Sequence, residues 1–271
     1  MKAMILAAGL GTRLRPLTDS IPKALVELNG RTLLEITIDR LKSFGITEII
    51  VNVHHHVEKI AVFLKSKNNF GLRIELSRED ELLLDTGGGL KKAAWFFQEG
   101  NSDEPFLLHN VDVLTNIDFH QMLDAHKNSS ALATLAVQQR PSSRQLLFDQ
   151  NNLLIGRRIK DVETLVSNSS SQANVCHSER SEESAFSSDL PLATRHSPLA
   201  LAFSGIHILS PRLLNLITES GVFSIIDTYL RLAASNEKIS AFRADHFYWR
   251  DLGRPEDLRG ALTDMANGLV E

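Results

Sequence analysis

Only one cysteine, Cys176, occurs in 271 residues, so no internal disulfide can form and a reducing cytoplasm is the expected setting. A basic surplus is missing too. The 29 lysines and arginines face 33 aspartates and glutamates, for a net charge of -4, and this excludes the usual electrostatic footprint of a nucleic-acid binder. No apolar run approaches the roughly 18 residues of a membrane-spanning helix. The apolar start, Met1 to Gly9, is at the short limit for a secretory signal. It runs at once into Gly11-Thr12-Arg13-Leu14-Arg15, an odd place for a mature chain to begin, so it reads as a buried first strand. What is present, 43% hydrophobic and 23% charged residues, is ordinary globular composition sufficient for one large domain over residues 1–271.

Apolar patterning predicts strands at 3–7, 49–53, 72–76 and 106–110. Helices are expected at 33–44, 57–65, from about 86, and at 119–126. Thr32-Leu33-Leu34-Glu35 has the capping-box form, and Gly45 marks the end of that helix. Strand and helix alternate with short connections, which predicts an α/β, Rossmann-like, mainly parallel sheet with helices on both faces. Ligand sites in such sheets lie at the carboxyl ends of the strands.

The second half reads as more mixed, with strands at 131–137, 145–148 and 152–155 and no helices between them. Further strands are expected at 199–209, 239–242 and 247–249, with helices at 211–217, 225–234 and from 255. The 32 residues from Ser167 to Pro198 hold ten serines and few large apolar residues, so they predict a mobile low-complexity insertion that adds no core.

Chemistry concentrates at the strand ends. After the first strand comes Leu6-Ala7-Ala8-Gly9-Leu10-Gly11-Thr12-Arg13-Leu14-Arg15-Pro16-Leu17-Thr18, then Pro22-Lys23. The dinucleotide fingerprint fails because Leu14 stands where its last glycine belongs, and the P-loop's Gly-Lys-Ser/Thr is absent. Small residues that let backbone N–H groups approach an anion, with Arg13, Arg15 and Lys23 as cations, suit phosphate binding. A solvated basic loop is the plainer alternative. Asp112, at the end of a buried strand, is a candidate ligand for a hard cation, or simply a loop aspartate. Asp251, ahead of Arg254-Pro255-Glu256, reads from the sequence as a cap for the last helix. The triplet His54-His55-His56 cannot direct three side chains at one ion from a strand and reads as a loop at a strand end.

Taken together, Leu-Ala-Ala-Gly-x-Gly-Thr-Arg-Leu-Arg-Pro-Leu-Thr with its Pro-Lys resembles the signature of the sugar-1-phosphate nucleotidylyltransferases. Asp85-Thr86-Gly87-Gly88-Gly89, Asn110-Val111-Asp112, Phe203-Ser204-Gly205-Ile206 and Trp249-Arg250-Asp251-Leu252-Gly253 follow in family order, so the likeness runs over nearly the whole chain. Small bacterial members, N-acetylmuramate-1-phosphate uridylyltransferases and mannose-1-phosphate guanylyltransferase-like proteins, are the most similar in look.

The resemblance implies the nucleotide-diphospho-sugar transferase fold. It also implies transfer of a nucleotidyl group from a nucleoside triphosphate, UTP or GTP, to a sugar 1-phosphate with Mg²⁺. Residue by residue, it implies that Leu6, Ala7, Ala8, Gly9, Gly11 and Thr12 wrap the nucleotide. Arg13 would stabilise triphosphate charge and Lys23 would touch the α-phosphate or the sugar phosphate. Thr86, Gly87 and Gly88 would lie against the base, Asn110 and Gly205 at the sugar phosphate, and Asp112 and Asp251 on the metal. Val111 stands where the family has glycine, so crowding at that point is expected. Neither nucleic acid nor membrane is an expected partner, and a monomer or homodimer is. Two other readings stay open: transfer to a non-sugar phosphate, and a sugar-nucleotide-binding subunit without turnover.

Overall fold

Ala3–Leu6 (β1) is apolar throughout and almost wholly buried, which places it in the middle of a sheet covered on both faces. The computed structural model describes residues 1–100, 103–166 and 197–270. After β1 come the short pair Glu27–Leu28 (β2) and Arg31–Thr32 (β3), then Leu33–Ser43 (α1), Glu48–Val53 (β4), Val57–Ser66 (α2) and Arg73–Arg78 (β5). Asp85–Lys92 (α3), Ala94–Gln98 (α4), Phe106–Asn110 (β6), Val113–Thr115 (β7), Phe119–Ser129 (α5) and Ala133–Gln138 (β8) complete the first half. Arg144–Phe148 (β9), Leu154–Ile159 (β10), Val162–Leu165 (β11), Leu199–Leu209 (β12), Arg212–Asn215 (α6), Ile225–Ala234 (α7), Ile239–Arg243 (β13), Trp249–Asp251 (β14) and Pro255–Ala266 (α8) follow.

Among the described residues the main sheet runs β11-β10-β9-β12-β6-β1-β4-β5, with β8 beside β12 and β13 beside β8. The strands β6, β1, β4 and β5 are parallel. Around β12 the pairing turns antiparallel, to β6, β8 and β9. The sheet is thus mixed, with a parallel portion on the side of the glycine-rich loop. Alternate residues feed two cores. Ile5, Val51, Leu107 and Ile206 pack with α1, α2 and α5, while Met4, Ile50 and Leu108 pack with α3, α4 and α7.

The expected cap of α1 is present: Thr32 Oγ1 accepts the Glu35 N–H at 3.1 Å. Several boundaries differ from expectation. The strand expected at 247–249 is Trp249–Asp251, and the helix expected over 211–217 is one turn, Arg212–Asn215. The strands β7 and β11 were not expected, being three and four residues long and too short for a periodicity to register. The insertion expected at 167–198 lies outside the described residues except for Ser197 and Pro198, and Cys176 lies outside them as well. No helix among the described residues is long and apolar enough to cross a membrane.

Candidate functional site

Where β1 ends, Ala7 donates its N–H to Asn52 Oδ1 at 2.7 Å, which turns the glycine-rich loop over the end of β4. Asn52 Nδ2 donates onward to Glu79 Oε1 at 2.8 Å, and Glu79 Oε2 accepts the Leu84 N–H, also at 2.8 Å. Both side chains are buried, so this chain ties the loop to the segment that leads into α3. Gly11 takes the left-handed conformation at φ 64°, and Thr18 Oγ1 donates to its carbonyl at 2.8 Å. A Cβ there would meet Thr18 Cγ2 at 2.9 Å, so this turn needs glycine.

The loop edges a cavity of about 370 Å³ at the carboxyl ends of β1, β4 and β6. Of the residues expected in the site, Leu6, Ala7, Ala8, Gly9, Lys23, Thr86, Asn110 and Asp112 line it. Asp85, from the motif that opens α3, lines it too, as does Asn52, which no motif marks. A polar residue inside the apolar run Ile49–Val53 was the available signal for Asn52. A wider recess of about 510 Å³ opens between α1, Val113–Asn116 and Gly268–Val270 and holds none of the expected residues.

Two cations of the glycine-rich region meet two carboxylates. Lys23 Nζ donates to Asp112 Oδ2 in a pair with 11% and 16% of the side chains exposed. Arg13 Nη2 lies 3.8 Å from Asp251 Oδ1 in a more open pair, 54% and 37% exposed. The backbones that carry the two carboxylates are brought together by strand pairing. The strand β14 runs antiparallel to β7 with Asp251 opposite Val113, and the Leu252 N–H donates to the Asp112 carbonyl at 2.7 Å. Asp251 Oδ1 accepts the Gly253 N–H at 2.8 Å, and it is Arg254 that stands at the N-cap of α8, so Asp251 does not cap that helix. A Cβ on Gly253 would lie 2.5 Å from both Arg13 Nη2 and Asp251 Oδ1. Burial, and next the charge of Asp251, push the Asp257 carboxyl above its usual range.

The glycines of α3 are placed differently. The N–H groups of Gly87 and Gly88 both donate to the Phe223 carbonyl, and Thr86 Oγ1 accepts the Ile225 N–H at 3.0 Å. A Cβ at Gly87 would strike the Phe223 ring at 2.4 Å, and one at Gly88 the Gly221 carbonyl at 2.5 Å. Only Thr86 of that trio reaches the cavity. Gly205, at φ 76°, backs onto Asn110, whose Nδ2 would lie 2.8 Å from an added Cβ.

Val111, 4% exposed, has its side chain in the core that includes Val113 and Leu114, although it also contributes to the cavity lining. Beside it, burial holds His109 down to about 4. The histidine triplet is a loop: His54 Nδ1 lies 2.6 Å from the Glu79 carbonyl and His56 begins α2 in the left-handed conformation. Among the described residues no group of three or more histidines, cysteines or carboxylates comes together.

The family model described as Nucleotidyl transferase matches residues 2–146. A mannose-1-phosphate guanyltransferase of Debaryomyces hansenii is 29% identical over 262 residues, covering 95% of this chain and 62% of that protein. A UTP–glucose-1-phosphate uridylyltransferase of Synechocystis is 27% identical over 278 positions, covering 97% and 64%. The N-acetylmuramate alpha-1-phosphate uridylyltransferase of Caulobacter vibrioides is 43% identical over 112 residues, 41% of this chain and 45% of that protein. The chain thus spans less than two thirds of the length of these relatives. Among solved structures, HddC from Yersinia pseudotuberculosis complexed with GMP-PN superposes with a TM-score of 0.70 at 19% identity, covering 97% of this chain and 99% of that one. A UDP-glucose pyrophosphorylase complexed with UDP-glucose gives 0.70 at 17% identity, covering 98% of each. These two share the fold.

Proposed function

This chain belongs to the nucleotidyl transferase family, and we propose that it joins a sugar 1-phosphate to a nucleoside triphosphate, UTP or GTP, releasing pyrophosphate. The observation that carries this reading is the meeting of Lys23 with Asp112 at the cavity and of Arg13 with Asp251 on β14, whose pairing with β7 sets Asp251 beside the backbone that follows Asp112. In the reaction an oxygen of the sugar phosphate attacks the α-phosphorus in line. The new P–O bond forms as the bond to the β-phosphate oxygen breaks, and that electron pair leaves on pyrophosphate. The attacking oxygen is already ionised near neutral pH, so no general base is required. Catalysis is positioning plus neutralisation of charge.

The glycine-rich loop, Leu6 to Thr12, would hold the nucleotide, with Thr86, in the first turn of α3, beside the base. Lys23 would sit at the α-phosphate or sugar phosphate and Arg13 at the departing pyrophosphate. Asn110 and Gly205 would flank the sugar phosphate. The donor set also suits Mg²⁺: Asp112 in the turn before β7 and Asp251 on the paired strand β14 offer hard oxygen atoms, and this ion is commonly bound by one or two carboxylates plus substrate phosphates. Asp112 and Asp251 would hold it, and when bound it supplies Lewis-acid neutralisation of phosphate charge.

The test is a matrix of UTP, GTP, CTP and ATP against mannose, glucose and N-acetylmuramate 1-phosphates. Pyrophosphate release and the nucleotide-sugar are measured, with and without chelator. Magnesium-dependent formation of a nucleotide-sugar from UTP or GTP is expected. Nucleotide binding without product in every combination would overturn the reading.

A further inference from the structure

Arg140 stands two residues beyond β8. There Gln138 Nε2 donates to the carbonyls of Ala244 and Phe247 at 2.8 and 2.9 Å and so fastens the strand end to the segment leading into β14. The Arg140 guanidinium lies 3.6 Å from the centroid of the Trp249 ring, and its Nη2 donates to the Phe203 carbonyl at 2.7 Å. Trp249 Nε1 in turn donates to the Ser204 carbonyl at 2.7 Å. Both carbonyls belong to the stretch of β12 between Phe203 and His207 where the register with β8 breaks, the stretch that carries Gly205 and backs onto Asn110 at the cavity. Trp249 and Asp251 are two residues apart on β14 and so share a face.

The guanidinium is well oriented but short of countercharge. Among the described residues it takes part in no ion pair within 4.0 Å, and its buried Nε has no hydrogen-bond partner. Burial holds its pKa below the usual arginine value, an effect that the charge of Asp251 only partly offsets. A residue that merely braced the Phe203 carbonyl would need no charge, and withdrawing a charge from water without a counter-ion is costly. A planar fork pinned on an aromatic face is instead what a phosphate group recognises. The nucleotide's phosphates already have cations from the glycine-rich loop. Arg140 arrives from β8, on the side of the sheet that carries Gly205.

We infer that Arg140 binds the phosphate of the sugar 1-phosphate, making it an acceptor-binding residue. This rests on the transferase reading above.

The test uses Arg140→Gln and Arg140→Lys in the full chain. Pyrophosphate release is followed while mannose and glucose 1-phosphates and UTP or GTP are varied in turn. The glutamine variant should raise the KM for the sugar phosphate about ten- to a hundredfold, and the lysine variant less, while the nucleotide KM stays within about twofold. A second readout needs no turnover. The chain has two tryptophans, and Trp95 is 45% exposed on α4, so a Trp95→Phe background leaves Trp249 as the sole indole reporter. Its emission should respond saturably to either sugar phosphate, and Arg140→Gln should abolish that response. An unchanged sugar-phosphate KM in both variants, or an equal rise in the nucleotide KM, would overturn the assignment and leave the transferase reading standing. If the unmodified chain releases no pyrophosphate, the transferase reading fails and the Trp249 titration decides the Arg140 site alone. If the glutamine variant does not fold, the lysine variant carries the same two measurements.

Discussion

Lys23 and Asp112 pair under cover, whereas Arg13 and Asp251 face each other across 3.8 Å with much of each side chain in water. Both pairs join the glycine-rich region to a strand-end carboxylate, yet their physics differs. A covered pair depends on both partners, because removing one leaves a charge with little solvent to compensate it. An exposed pair contributes little to stability, and its members are free to exchange partners. The first pair should therefore be part of the scaffold as well as of the chemistry, and the second should serve chemistry almost alone.

The largest expected effects compare the two carboxylates. Asp112→Asn and Asp251→Asn should each cut turnover by about a hundredfold or more. Only Asp112→Asn should also lose roughly 3 kcal/mol of stability, because Lys23 is left covered and unpaired. Denaturant unfolding of both variants checks this, and equal destabilisation would break the distinction. Next comes Arg13→Ala. If its role lies with the leaving group, kcat should fall on the order of tenfold or more while the apparent nucleotide affinity changes little, since that charge develops mainly in the transition state. Steady-state kinetics with a change confined to the nucleotide KM would assign Arg13 to ground-state binding.

A smaller effect is expected behind the covered pair. Asn52→Ala would strip partners from the Ala7 N–H and from Glu79, both buried, and should cost about 2 kcal/mol in thermal unfolding.

Of similar size is acid sensitivity, and it too belongs to the covered side. Burial lowers His109 and His126 to about 4 and His207 to about 3, against 6.5 for a free histidine. Below pH 6.5 the unfolded chain binds protons that the folded chain refuses, so stability falls as pH drops from 6.5 towards 4. Melting temperature measured from pH 7.5 to pH ~6 should decline by a few degrees. His126→Asn, which removes one of the three groups, should flatten that decline.

Local signals made the parallel half legible. An unbroken apolar run announced β1, Thr32 and Glu35 announced the start of α1, and the chemistry of the first loop singled out Arg13 and Lys23. Gly87 and Gly88 suggest a backbone surface for a ligand, and in the fold their N–H groups are taken up by the Phe223 carbonyl. Nothing near those glycines in sequence could have signalled that partner. Asn52 and Glu79 escaped notice for a similar reason: each is an ordinary polar residue until burial brings them within 2.8 Å of one another.

The sequence by itself determined the strand and helix succession of the first half, the loop chemistry, and two aspartates at strand ends. These follow from periodicity, capping and residue type, which are properties of neighbouring residues. Only the tertiary structure decided that β7 and β14 pair, so that Asp112 and Asp251 become neighbours. It alone turned the sheet antiparallel around β12 and laid Arg140 on Trp249. Those outcomes depend on register between segments distant along the chain, and register is set by which faces can be buried together.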